Sequence, residues 1–78
     1  MDKLQKYEAL LRKLANKEQD YFVNEFESIA FKSIPETGSY KARTKGGGEE
    51  YTLTYQANVV KQAILDAVEI TKEEYEKY

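Results

Sequence analysis

Placed at 100° per residue, the angle of an α-helix, Leu4, Tyr7, Leu11, Leu14, Ala15, Phe22, Phe26 and Ile29 fall on one face. The stripe keeps its phase from Leu4 to Ile29 with no Pro or Gly inside it, and it predicts one long amphipathic helix over about 3–32. Glu18 and Glu25 intrude on the stripe, and Leu10, Tyr21 and Phe31 widen it. A competing reading breaks the segment into two helices near Asn16–Asp20, where polar residues cluster and Asn or Asp can cap. The unbroken phase favours one helix. Ser33-Ile34-Pro35-Glu36-Thr37-Gly38 then ends it, because Pro35 cannot continue a helix and Gly38 suits a turn.

The pattern next switches to period 2. Tyr40, Ala42 and Thr44 alternate with Lys41, Arg43 and Lys45; Tyr51, Leu53 and Tyr55 alternate with Glu50, Thr52 and Thr54. This predicts a β-hairpin over about 39–55, with a tight Gly47-Gly48 turn. That turn sets Lys45 opposite Glu50, Arg43 opposite Thr52 and Lys41 opposite Thr54. One face is then aromatic and apolar, the other polar and basic. A slip of one residue would mix the faces.

Helical spacing returns with Val60, Ile64, Ala67, Val68 and Thr71, predicting a helix over about 57–77. Thr71-Lys72-Glu73-Glu74 fits a capping box, with Ile70 and Tyr75 as its hydrophobic staple. A break near 70 and one continuous helix are equally supported. The expected fold class is α+β: a small two-layer αββα domain, 1–78, with the hairpin packed on the helices because a lone hairpin is marginal in water. Thirty helical residues span ~45 Å, against ~30 Å for a compact domain of this length. An unbroken first helix would overhang its own domain. Self-association through Leu4, Tyr7, Leu11, Leu14 and Phe22 is therefore expected, giving a homo-oligomer.

Composition narrows the chemistry. The 78 residues contain no Cys and no His, which excludes a disulfide framework, a thiol nucleophile and the commonest general base. Net charge is −2, from 12 basic and 14 acidic residues. The first residues have no apolar signal-peptide core, and no apolar run approaches the ~20 residues of a membrane helix. A cytoplasmic protein with no membrane contact is expected.

Carboxylates are the only acid–base groups left. Glu49-Glu50 beside the glycines, and Glu73, Glu74 and Glu76, read best as a solvated strand end and an acidic helix start. Ser28, Ser33 and Ser39 have no His to activate them, and Glu49-Glu50 lacks calcium-loop spacing. Gly46-Gly47-Gly48 joins strand to strand, not strand to helix as a phosphate loop does. No catalytic residue, cofactor or metal site is expected.

Two surface features remain. Lys41, Arg43 and Lys45 make a basic stripe of the kind that follows phosphates, although three charges give weak binding at cellular salt and Glu49 and Glu50 oppose it. Tyr75 and Tyr78, near the C-terminus, suit a protein contact, where Tyr is enriched. The helix–hairpin–helix order resembles the double-stranded-RNA-binding domain, but a third strand and a basic cluster at Ala57-Asn58-Val59-Val60 are missing, so the match is rejected. The short Lys/Glu/Tyr-rich chain has the general look of phage or mobile-element accessory proteins. The sequence thus points to a non-enzymatic interaction protein that binds a protein partner stoichiometrically, as an inhibitor or regulator. The alternative is nucleic-acid binding through the basic face of the hairpin.

Overall fold

The chain leaves its first helix at Ala15, not at Lys32. The computed structural model describes residues 2–78 and gives α1 (Lys3–Ala15), β1 (Tyr21–Asn24), β2 (Ile29–Ile34), β3 (Ser39–Thr44), β4 (Glu50–Thr54), α2 (Asn58–Asp66), β5 (Val68–Glu69) and α3 (Lys72–Glu76). Asp2 and Gln5 start α1 as a reciprocal capping box. Its end is a complete Schellman motif: Lys17 takes φ 60°, its N–H donates to Leu14 C=O, and Glu18 N–H donates to Lys13 C=O. These bonds satisfy the carbonyls of the last turn and turn the chain away from the helix axis.

The expected single helix over 3–32 is therefore corrected, and so is its alternative of two helices. The break falls at Asn16–Asp20, as that alternative placed it, but a β-hairpin follows. Tyr21-Phe22-Val23 and Ile29-Ala30-Phe31 are rich in aromatic and β-branched side chains, which favour the pleated surface. Asn24 supplies the turn: its Oδ1 accepts from Glu27 N–H at 3.0 Å, and Ser28 sits at φ 56°. Phe22 and Phe31 face each other across the strands, while Phe26 lies at the turn tip, 90% exposed. Their helical spacing arose from a hairpin folding back on itself.

The sheet has five strands rather than two, all antiparallel, in the order β4-β3-β2-β1-β5. β3 and β4 pair as expected in kind but not in register. Tyr40 lies opposite Leu53, Lys41 opposite Thr52, Ala42 opposite Tyr51 and Arg43 opposite Glu50. The expected register is displaced by two residues, because residues 45–49 form a longer connection than a two-residue turn. Gly46 and Gly48 both take left-handed φ, 78° and 83°, which glycine adopts without strain. A displacement of two leaves every side chain on its expected face.

The C-terminal helix breaks. Ala67 adopts φ 52° and ends α2; β5 then pairs with β1, with Phe22 opposite Glu69. The Thr71 capping box forms in full: Glu74 N–H donates to Thr71 Oγ1 at 3.1 Å, and Thr71 N–H to Glu74 Oε1 at 2.9 Å.

The two sheet faces have separate cores. Leu10 of α1 and Val60, Ala63 and Ala67 of the α2 segment pack on Phe22, Phe31, Tyr40 and Ala42. On the opposite face, Tyr75 of α3 covers the side carrying Val23 and Ala30, which are 3% and 0% exposed. The expected two-layer αββα arrangement is corrected to a sheet with two helices on one face and a short third helix on the other. α1, at ~20 Å, is shorter than the longest extent of the fold, 31 Å, so no described helix overhangs the domain.

Candidate interaction surface

The basic stripe is largely engaged within the fold. Register places Lys32, Lys41 and Arg43 on the face that α3 shares. The Tyr75 ring lies 5.5 Å from that of Tyr21, tilted by 53°. Lys32 Nζ lies 5.6 Å and the Arg43 guanidinium carbon 5.8 Å from the Tyr75 ring centroid, within cation–π range. Glu50 closes the cluster, accepting from Tyr75 Oη at 2.6 Å and pairing with Lys32 at 3.4 Å. Burial, and then the bond to Glu50, raise the Tyr75 hydroxyl above its ordinary range. The same bond, helped by the Lys32 and Arg43 charges, holds the Glu50 carboxyl below its own.

Lys41 Nζ donates to Thr52 Oγ1 at 2.8 Å across the strands. Lys45 lies in the β3–β4 connection, exposed, with its backbone N–H bonded to Ser28 C=O. Of the three cations in the stripe, Arg43 is thus held under Tyr75, Lys41 is tied to Thr52, and Lys45 extends from the end of the sheet. Tyr75 is 2% exposed, which leaves no ring surface for a partner. Tyr78 is half-buried, and its C=O accepts from Gly46 N–H at 2.8 Å, fixing the C-terminus on the glycine connection.

The residues expected to self-associate separate into two groups. Phe22 is a strand residue at 0% exposure, inside the core. Tyr7 and Leu14 pack partly against that core. Leu4 and Leu11 remain outside, 63% and 39% exposed.

These two leucines belong to a larger apolar flank. Tyr55, Leu65, Ile64, Tyr7 and the stem of Lys61 line a shallow depression of about 300 Å³ between the helices and the end of β4. Leu4 and Leu11 lie three and four residues from Tyr7, so they border it along α1. Tyr55 and Leu65 are 59% and 50% exposed, and Tyr51 on β4 is 39% exposed. The opposite flank of α1 is charged: Lys13 pairs with Glu69 at 2.8 Å, and Lys3 with Asp66 at 3.6 Å. Leu65 carried no special sequence signal, because its neighbours Ile64 and Ala63 share its polarity; only the packing decides which of them faces out.

The titratable groups make one further cluster. Burial and the Glu69 charge raise the Asp20 carboxyl, and its Oδ2 is buried without a hydrogen-bond partner among the described residues. The bond to Glu69 raises Lys13. Lys13 and Glu69 line a groove of about 400 Å³, and Asp20 lies beside Glu69 without lining it. Among the described residues, no three His, Cys, Asp or Glu side chains come together as a metal site. No described helix is long and apolar enough to cross a membrane.

No family model, curated protein or solved structure matches this chain.

Proposed function

We propose that this protein is a non-enzymatic binding module that engages a protein partner through the flank formed by α1, α2 and the end of β4. The observation that carries this reading is the gathering of large exposed apolar side chains on one flank. Tyr55 and Leu65 line one depression with Tyr7, and the exposed Leu4 and Leu11 neighbour Tyr7 along α1, while Lys3 and Lys13 of the same helix are held in ion pairs. Scattered single exposures need no explanation, whereas a contiguous patch rimmed by charge marks a contact surface. Tyr55 and Leu65 supply the aromatic and aliphatic anchors of such a contact, and Lys61 its polar rim. A bound partner would be inhibited or regulated by occupancy of this flank.

The nucleic-acid reading is the weaker one. Two of the sheet-face cations, Lys32 and Arg43, are committed to the Tyr75–Glu50 cluster, and each phosphate contact they gave up would remove a counterion-release contribution.

The test is comparative capture from a lysate of the source cell. The wild type, a Leu4→Ser/Leu11→Ser/Leu65→Ser variant and a Lys41→Ser/Lys45→Ser control are immobilised at equal density. A discrete protein retained by the wild type and the control, and lost by the apolar-flank variant, is the expected result. Retention by all three, or recovery of nucleic acid that only the lysine variant loses, would overturn it.

A further inference from the structure

The two edges of the sheet are built differently. β5 is only two residues long, and Glu69 on it is tied to Lys13 of α1. β4 has five residues, Glu50-Tyr51-Thr52-Leu53-Thr54, and no strand partner on its outer side among the described residues. Natural edge strands are protected by Lys, Pro, a bulge or extreme shortness. β4 contains no Lys or Pro, its one charged residue, Glu50, is turned to Tyr75 and Lys32, and its register with β3 runs unbroken from Glu50 to Thr54. Its composition, Thr and Tyr around a Leu, favours strand pairing.

The hydrogen-bond alternation shows which groups face outward. Ile70 N–H donates to Tyr21 C=O, so Tyr21 and Val23 direct their backbone groups to β5, and Phe22 and Asn24 direct theirs to β2. Ser33 N–H bonded to Asp20 C=O, and Lys45 N–H bonded to Ser28 C=O, continue the same alternation through β2 and β3. Carried across β3, it turns Tyr51 and Leu53 toward β3, and Glu50, Thr52 and Thr54 outward. Of the outward groups, Thr54 C=O already accepts from Ala57 N–H at 3.1 Å.

We propose that β4 pairs antiparallel with β4 of a second copy of this chain, about a two-fold axis at Thr52. Three observations select the occupant and the register. The strand is self-complementary: with Thr52 opposite its own counterpart, Tyr51 meets Leu53 of the second copy twice on the helix-side face, and Glu50 meets Thr54. No like charges are opposed, and Thr–Thr and aromatic–aliphatic pairs each stabilise a sheet. The outward groups also match, since Thr52 exchanges both backbone bonds with its counterpart and Thr54 N–H reaches Glu50 C=O. An axis at Tyr51 or at Leu53 keeps the faces but overlaps only three of the five β4 residues. An axis between residues would bring polar side chains onto the apolar face. The product is a continuous ten-stranded sheet. It places self-association on the sheet edge, next to the partner-binding flank, which begins at Tyr55.

Sedimentation equilibrium of the full chain tests the pairing. The expected mass is twice that of one chain. Thr52→Pro removes an outward donor without removing a β3–β4 bond, and Thr52→Lys sets two like charges on the axis; both are expected to give one chain with unchanged circular dichroism. The natural chain has no Cys, so any disulfide in a single-Cys variant joins two copies. Thr52→Cys should cross-link on mild oxidation, because paired Cα atoms there lie ~5.5 Å apart. Thr54→Cys should not, because its counterpart lies four residues away along the strand. Leu4→Ser/Leu11→Ser/Leu65→Ser should remain a dimer. A wild-type mass of one chain, dimers that survive both Thr52 changes, dimers lost only with the leucines, or equal cross-linking at 52 and 54 would each overturn the proposal. None of these results bears on partner capture by the apolar flank.

Discussion

The Tyr75 hydroxyl donates to the Glu50 carboxylate at 2.6 Å, joining the last helix to the outermost strand across the width of the sheet. Tyr75 lies on the sheet face that carries Val23 and Ala30, against Tyr21, Lys32 and Arg43, and is itself 2% exposed. Tyr75→Phe keeps the ring and removes the bond. A loss of ~1.5–3 kcal/mol in urea unfolding is expected, the range for a hydrogen bond to a charged acceptor. Tyr75→Ala removes the ring as well and should cost ~3–5 kcal/mol.

The same pair sets a pH dependence. The folded Glu50 carboxyl lies below its unfolded value, so its contribution is complete above the unfolded value of ~4.3 and is lost as pH falls through the lowered folded one. Tyr75 is raised, so its contribution is present below ~10 and is lost as pH rises through the folded value. Melting temperatures of wild type and Tyr75→Phe, measured from acid to alkaline pH, should differ most between those limits and converge at both ends.

Asp20 has the opposite sign. Its carboxyl is raised by burial beside Glu69, so ionisation opposes folding above the unfolded carboxylate value. Asp20→Asn keeps the shape and removes the charge. A higher melting temperature at neutral pH, with the gain vanishing in acid, is the expected outcome.

Lys17 holds the left-handed position that glycine usually fills in a Schellman motif. It is exposed, so its side chain has no packing to lose. Lys17→Gly should raise stability by up to ~1 kcal/mol through relief of backbone strain, measured by chemical denaturation. An equal or lower midpoint would show that the strain is not significant.

Asn24 links the β1–β2 turn to α2. It is 1% exposed, and its Nδ2 donates to Val59 C=O at 3.2 Å while Oδ1 accepts from Glu27 N–H. Asn24→Ala removes both bonds at a buried position and should cost ~1–3 kcal/mol. Hydrogen exchange should quicken first at Glu27, whose N–H loses its acceptor.

The sequence by itself determined the local elements whose signals lie within a few residues. The β3–β4 alternation, its two faces and the Thr71 capping box follow from spacing and cap chemistry, whereas the choice between a break near 70 and one continuous helix does not. Tertiary structure decided the segment from Asn16 to Ile34. Phe22, Phe26 and Ile29 satisfy a helical period as well as Phe22 and Phe31 satisfy a strand pair, and Lys17 gives no glycine-like stop signal. The long-range pairing of β2 with β3 and of β1 with β5 resolves that ambiguity, because it buries Phe22 and Phe31 beneath two helices at once. It also decided the surface. Tyr75 became core when β1–β2 provided a second covered face, while Leu65 and the outer edge of β4 were left exposed because the helices cover only part of the sheet. Periodicity identifies apolar positions, but which of them meet another element depends on elements distant in sequence.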